Sequence, residues 1–416
     1  MAGKDKKEEQ EERLSVTLED VLEARERLRD SVYLSPCPHS VMLSALTGQE
    51  IFLKLENLQM TGSFKERGAL NRIAQLTPEQ AARGVVAASA GNHAQVVAYH
   101  ATKRGIRAVI VMPLTTPLVK VTATRGFGAE VVLHGTSYDE AFTEAMRIRE
   151  EQDLTFIHAF DDAAVIAGAG TIGLELLEQV PGLEAVVAPI GGGGLIGGIG
   201  CAIKALKPEV RIVGVQTARI PSMAAAVAAH HPVTLPPATT IADGIAVRRA
   251  GDLTLPLVER YVDELVTVDE DEIASAILML LEKEKTVAEG AGATALAALL
   301  QRRTSLQGAR TAVLVCGGNI DVTLLSRIIE RGLVQDGRLI RLRIHLLDRP
   351  GALHDVTRLM ADQRANIVDV VHNRAYYGVH LGDTVIDITL ETRGREHVEQ
   401  ILAALTAEGY RHTRVL

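Results

Sequence analysis

Residues 53–68 read Leu-Lys-Leu-Glu-Asn-Leu-Gln-Met-Thr-Gly-Ser-Phe-Lys-Glu-Arg-Gly. The apolar run from Ile51 to Leu55 predicts a short strand, Thr61-Gly62-Ser63 a turn, and Phe64 to Ile73 the start of a helix. Lys65 therefore falls at a turn-to-helix junction beside an aromatic residue. Withdrawal from solvent lowers a lysine's pKa and leaves more neutral amine to attack a carbonyl, so the placement allows a Schiff base. Taken alone, the stretch is better described as a surface helix on which Lys65, Glu66 and Arg67 are solvated charges.

Three further turns, each behind an apolar strand-like run, change the weighing. Val85 to Ala88 leads into Ser89-Ala90-Gly91-Asn92-His93. Small residues at a strand-to-helix turn aim backbone N–H groups at a carboxylate, although Ser89 and Asn92 would also serve as plain helix caps. Ala185 to Ile190 leads into Gly191-Gly192-Gly193-Gly194-Leu195, a backbone able to wrap an anion at a helix start. Gly192, Gly194 and Gly197 also satisfy the dinucleotide pattern G-x-G-x-x-G. That reading needs an acidic residue after the next strand to hold a ribose, and the strand Ile212 to Val215 ends in Gln216. The glycines thus predict a cup for a small phosphate ester. Thr311 to Val315 leads into Cys316-Gly317-Gly318-Asn319, where a lone cysteine is a small buried hydrophobe or, given a positioned base, a nucleophile.

Taken together and in this order, Glu56-Asn57 with Ser63-Phe64-Lys65, the Ser89 turn, the glycine run and the Cys316 turn resemble the serine and threonine dehydratases among the fold-type II pyridoxal-phosphate enzymes. The resemblance implies an α/β catalytic domain over 16–330, built of two open, largely parallel subdomains, the smaller inserted at about 55–155. It implies pyridoxal 5'-phosphate held by Lys65, with Phe64, Asn92, Gly191, Gly192, Gly193, Gly194, Leu195 and Cys316 around it. Ser89, Ala90, Gly91, Asn92 and His93 would hold the substrate carboxylate, and Asn92 also the ring hydroxyl of the cofactor. Lys65 would carry the α-proton, and Ser89 would be a second acid–base group on the opposite face, as in the similar serine racemases. A neutral Cys316 facing the pyridine nitrogen leaves it largely unprotonated and favours elimination. The implied reaction is loss of water from L-threonine, giving 2-oxobutanoate and ammonium, with L-serine giving pyruvate; serine racemase and 3-hydroxyaspartate dehydratase are the alternatives. Ala242 to Val247 and Glu289 to Ala293 resemble stretches lining the same cleft. Some relatives bind a cation through acidic residues after the strand that here ends in Gln216; Gln216, Ile220 and Ser222 offer no carboxylate, so no metal is expected.

The chain has 416 residues, 47% hydrophobic and 23% charged, with a net charge of -8. That length predicts more than one domain, and the acidic balance argues against a nucleic-acid-binding face. Strand-like runs alternating with helical ones predict a parallel sheet whose carboxyl edge gathers the ligand-binding turns. Cys37, Cys201 and Cys316 show no C-x-x-C spacing, which points to a reducing, cytoplasmic setting and no zinc cluster. The mixed charges of 1–15 predict a disordered tail rather than a secretory signal, and the apolar runs are too broken to span a membrane.

Beyond a linker at 331–338 the pattern changes. Ile340, Leu342, Ile344 and Leu346 alternate with Arg341, Arg343 and His345, the mark of a half-buried strand. Asp348-Arg349-Pro350-Gly351-Ala352-Leu353 then opens an amphipathic helix, and the remaining runs complete β-α-β-β-α-β over 339–416. This region resembles an ACT domain, which implies an amino-acid effector site at Asp348, Gly351, Ala352, Leu353, Asn366 and Ile367, or else a dimerisation module without ligand. The resemblance also implies a homodimer or homotetramer. Biosynthetic relatives answer to isoleucine through a larger regulatory region than the single unit present here. The rival from another class is an amino-acid sensor without catalysis.

Overall fold

The computed structural model describes residues 16–373 and 382–415; the expected tail over 1–15 and the end of the last strand at Leu416 lie outside them. The chain divides into two units between Ile320 and Asp321. Among the described residues no helix is long and apolar enough to cross a membrane.

The first unit holds two parallel sheets. Strands β1 (Glu50–Leu55), β2 (Val85–Ala88), β3 (Ala108–Met112), β4 (Glu130–Leu133), β5 (Thr155–Phe156), β6 (Ala185–Pro189), β7 (Arg211–Thr217), β8 (Glu264–Val268) and β9 (Arg310–Val315) follow one another along the chain. Five of them form one sheet in the order β1-β9-β6-β7-β8, and the other four form a second in the order β4-β3-β2-β5. All of the second sheet is contributed by residues between β1 and β6. Its two central strands, β2 and β3, are buried on both faces because alternate side chains serve different helices. Val85, Ala87, Ile110 and Met112 meet Ala94, Val97 and Ala101 of the helix Asn92–Lys103. Val86, Ala88, Val109 and Val111 meet Ala141, Ala145 and Ile148 of the helix Tyr138–Gln152.

Helix Lys65–Ile73 packs against helix Ala163–Gln179, which on another side packs against helix Gly194–Leu206. These crossings are made by backbone. A Cβ on Gly68 would lie 2.7 Å from Val165 O, and one on Gly168 2.5 Å from Arg67 O. A Cβ on Gly170 would lie 2.8 Å from Gly198 O, and one on Gly198 2.3 Å from Ile166 O. Only glycine permits such approach. Beneath the first crossing Arg67, 1% exposed, donates to Glu56 at 2.7 and 2.8 Å and to Glu175 at 2.6 Å. Lys54, fully buried, donates to Glu175, to Gln179 and to the carbonyl of Ser35. At the start of the chain, helix Leu18–Leu28 opens with the capping box that Thr17 and Asp20 predict.

The second unit begins with helix Val322–Gln335, which occupies the first five positions of the linker expected over 331–338. It continues with β10 (Leu339–Leu347), helix Ala352–Asp362, β11 (Asn366–Asn373), β12 (Asp383–Glu391), helix Arg395–Ala407 and β13 (His412–Arg414). The sheet is antiparallel, in the order β11-β12-β10-β13, which is the β-α-β-β-α-β arrangement of a split βαβ fold. Ile340, Leu342, Ile344 and Leu346 are buried and Arg341 and Arg343 are exposed, as the alternation predicts.

Candidate active site

The four sequence motifs lie at the carboxyl ends of β1, β2, β6 and β9, the edge where open parallel sheets collect ligands. The turn after β1 is tied to the turn after β9. Phe64 N–H donates to Cys316 O at 3.0 Å, Gly318 N–H donates to Gly62 O at 2.9 Å, and Ser63 pairs with Gly317. Lys65 is thereby fixed as the first residue of its helix, half-buried, with its Nζ 6.0 Å from the Phe64 ring centre. The neighbouring Ser63 hydroxyl is fully buried and has no partner. Cys316 is 2% exposed, and burial, then the charge of Glu289, pushes its thiol well above the usual range. A thiol held neutral is no nucleophile.

The turn after β2 brings Ser89 and Ala90 half-buried to the sheet edge, where Ser89 Oγ accepts the Gly91 N–H at 3.2 Å. Asn92 and His93 open the following helix and are buried. His93 faces inward: its Nε2 meets Ile157 O at 2.8 Å, and burial drops its pKa to about 3, so it is a neutral structural group. Asn92 Nδ2 donates to Glu289 Oε1 at 2.8 Å, while Asn92 Oδ1 accepts from Asn319 Nδ2 at 2.7 Å.

The turn after β6 is the glycine run. Gly193 has φ +99°, and helix Gly194–Leu206 begins there with no side-chain cap, so its first amides are left for a ligand. Leu195 is buried behind them. Neighbours press on the glycines closely enough to exclude side chains: a Cβ on Gly192 would fall 2.2 Å from the Phe160 ring, and one on Gly193 2.5 Å from Met223. Thr254 Oγ1 donates to Gly192 O at 2.5 Å and holds the cup in shape. The cup reaches the other motifs through the turn Asp243–Ile245. A Cβ on Gly191 would lie 3.1 Å from Ile245, and one on Gly244 3.2 Å from Glu289 Oε1. Lys120, on helix Leu118–Gly126, pairs with Asp243 at 2.8 Å, and Asp139 pairs with Arg248, so two ion pairs link the smaller sheet's helices to this part of the larger one.

In the sequence Glu289 stands only within a stretch that resembles the cleft lining, Asn319 only at the end of the Cys316 turn, and Phe160 and Thr254 in no motif. Nothing near Glu289 in the chain signals its contact with Asn92. Gln216 is buried and accepts from Ala224 N–H at 2.9 Å. Among the described residues no group of three or more His, Cys, Asp or Glu is arranged to hold a metal ion. In the second unit, Gly351 with φ +90° precedes a helix that has no side-chain cap. Asp348 N–H donates to Gly382 O, and Asn366 Nδ2 donates to Glu391 at 2.8 Å. Ala352, Leu353 and Ile367 belong to the hydrophobic core of that unit.

Residues 28–317 match the family model described as pyridoxal-phosphate dependent enzyme, and residues 340–409 match the ACT domain. An L-threonine ammonia-lyase of Thermotoga maritima is 50% identical over 95% of this chain and 98% of its own. Maize serine racemase superposes with a TM-score of 0.73 at 36% identity, covering 77% of this chain and 99% of its own. The processed form of threonine deaminase isoform 2 from Solanum lycopersicum superposes at 0.72 and 36% identity, over 75% and 86%.

The side chains present suit pyridoxal phosphate. An uncapped glycine cup answers a phosphate dianion, a half-buried amine an aldehyde, and a neutral buried thiol an unprotonated ring nitrogen.

Proposed function

This chain belongs to the pyridoxal-phosphate-dependent enzymes and carries a C-terminal ACT domain, and from that footing we propose that it removes water from L-threonine, releasing 2-oxobutanoate and ammonium. The observation that carries the reading is the joining of Lys65 to the neutral Cys316 by paired turns at one sheet edge. The cofactor, when bound, supplies the electron withdrawal that makes the α-proton acidic. The chain's own groups do the rest. Lys65 would hold the cofactor through its aldehyde and, with the substrate's amine in its place there, would take the α-proton onto Nζ. The glycine cup of Gly191, Gly192, Gly193 and Gly194, with Leu195 behind it, binds the phosphate, and Phe64 and Asn92 flank the ring. The turn Ser89 to His93 binds the carboxylate through its backbone N–H groups. In the net change the Cα–H and Cβ–O bonds would break and a Cα=Cβ bond would form, the proton carried on Lys65 Nζ leaving with the β-hydroxyl as water; the freed enamine would then take up water and give the 2-oxo acid and ammonium. Ser89, half-buried at the turn, favours a second reading as well: an acid–base group on the opposite face would serve racemisation of serine.

The ACT domain supports an amino-acid effector role for Asp348, Gly351, Ala352, Leu353, Asn366 and Ile367, in a cytoplasmic homodimer or homotetramer. The test is 2-oxo acid release by the purified holoenzyme from L-threonine and L-serine, with and without added isoleucine. Release from threonine is expected to exceed that from serine. D-serine formed without 2-oxo acid would establish the racemase reading, and a rate unmoved by isoleucine would remove it as the effector.

The cup has its own test. In Gly192→Ala the new methyl must displace the Phe160 ring from 2.2 Å, and pyridoxal-phosphate affinity should fall by at least about tenfold in a fluorescence titration. Unchanged affinity would refute the assignment of the glycines.

A further inference from the structure

Asn92, Asn319 and Glu289 form a hydrogen-bonded chain whose two outer members the proposed reaction leaves without a task. Asn319 Nδ2 gives one N–H to Thr61 O and the other to Asn92 Oδ1, each at 2.7 Å. Asn92 Nδ2 gives one N–H to Glu289 Oε1 at 2.8 Å. A primary amide has two N–H groups, so one remains. The orientation of the Asn92 amide is forced. Turned over, its Nδ2 would face the Nδ2 of Asn319, donor against donor at any pH, and its Oδ1 would face an oxygen of Glu289 that can donate only when the carboxyl is protonated. Asn92 is 6% exposed and Glu289 4%, so water does not relieve the mismatch.

We propose that Glu289 and Asn319 are positioning residues that hold the Asn92 amide in one orientation and reserve its remaining N–H for the anionic ring oxygen of the cofactor. The inference rests on the reading that Asn92 meets that ring. It deepens that reading by making the ring's hydrogen bond depend on a carboxyl group that the sequence marks only as part of the cleft lining.

Glu289 is also a group that can change charge at working pH. Burial first, then Asp243, raises its pKa to about 7, against the opposing effects of Lys65, the Asn92 N–H and Lys120. Asp243 is itself paired with Lys120, and Cys316 beside the cluster stays neutral. Because the folded value lies above the usual 4.5, stability from the protonated carboxyl is complete below about pH 4.5 and is lost as pH rises through 7. A glutamine in its place keeps the acceptor and removes the titration.

The experiment uses the full chain, stripped of cofactor and titrated with pyridoxal phosphate between pH 6 and 9. Wild type, Glu289→Gln, Glu289→Ala and Asn319→Ala are compared by dissociation constant, by visible absorption of the bound cofactor, and by melting of the apoprotein. The two alanine variants should bind at least about tenfold more weakly and shift the absorption maximum, and Glu289→Gln should bind within about threefold of wild type. Wild-type absorption should titrate near pH 7 and that of Glu289→Gln should not; Glu289→Gln apoprotein should melt above wild type at pH 8 and alongside it at pH 5. Alanine variants that melt cooperatively yet bind with wild-type affinity and spectrum would overturn the proposal. Retention of the wild-type pH titration in Glu289→Gln would overturn it even if the alanine variants fail to fold. Wild type that takes up no pyridoxal phosphate would instead overturn the cofactor reading, so the two failures are distinguishable.

Discussion

Lys65→Ala is expected to fold, to bind pyridoxal phosphate without a covalent link, and to release 2-oxo acid from L-threonine about 10,000-fold more slowly than wild type. Folding should survive because Lys65 occupies the first position of its helix, half-buried, and alanine is the best helix former. The chemistry should not survive, because in the proposed mechanism the same amine both holds the cofactor's aldehyde and takes the α-proton. Borohydride reduction followed by peptide mass measurement separates the two roles. Wild type should keep the cofactor mass on the peptide containing Lys65, and the variant should not. A variant that retains the reduced cofactor on another lysine, or that turns over at the wild-type rate, would show the assignment to be wrong.

The second large effect concerns stability. Arg67→Met leaves Glu56, fully buried, and Glu175 without the cation that both contact. Burial alone would raise the pKa of Glu56, but the charge and hydrogen bonds of Arg67, joined by the charge of Lys54 and the Ser35 hydroxyl, outweigh it and hold the carboxyl below its usual value of 4.5. The sign follows: the wild-type contribution is present above about pH 4.5 and is lost as pH falls through the lowered value. Removing one partner of a buried ion pair costs about 3–5 kcal/mol, because the remaining charge stays desolvated. Urea unfolding at pH 7 should show that loss in Arg67→Met. The variant should also hold pyridoxal phosphate poorly, since Arg67 lies on the helix that presents Lys65. A loss below about 1 kcal/mol would mean that water reaches the site and screens the pair.

Strands such as Val85–Ala88, Ala108–Met112 and Ala185–Pro189 were legible because they are short and wholly apolar, and a strand buried on both faces carries that signature in its own residues. The turns were legible for a related reason: the Ser89, glycine and Cys316 motifs each follow directly on the strand that presents them. Arg67 was not. As one of three consecutive charges it is indistinguishable from a solvated residue, since the acids that bury it include Glu175, more than a hundred positions away. Glu289 was hidden in the same way, its partner Asn92 lying 197 positions earlier. The alternation after Leu339 announced a half-buried sheet, yet no local cue distinguished the helix through Gln335 from a linker. Sequence shows what a residue does to its own segment, and long-range pairing shows what the segment is for.

The helix Ala163–Gln179 touches, backbone to backbone, both the helix that starts at Lys65 and the helix that starts at the glycine cup. Side chains can change rotamer and let a spacing drift by an ångström; peptide planes in van der Waals contact cannot. The span from the start of the Lys65 helix to the start of the helix behind the glycine run is therefore set like the jaws of a caliper, by the thickness of one helix. On the proposed reading, a cofactor of fixed length is measured against a gauge that thermal motion of side chains does not reset.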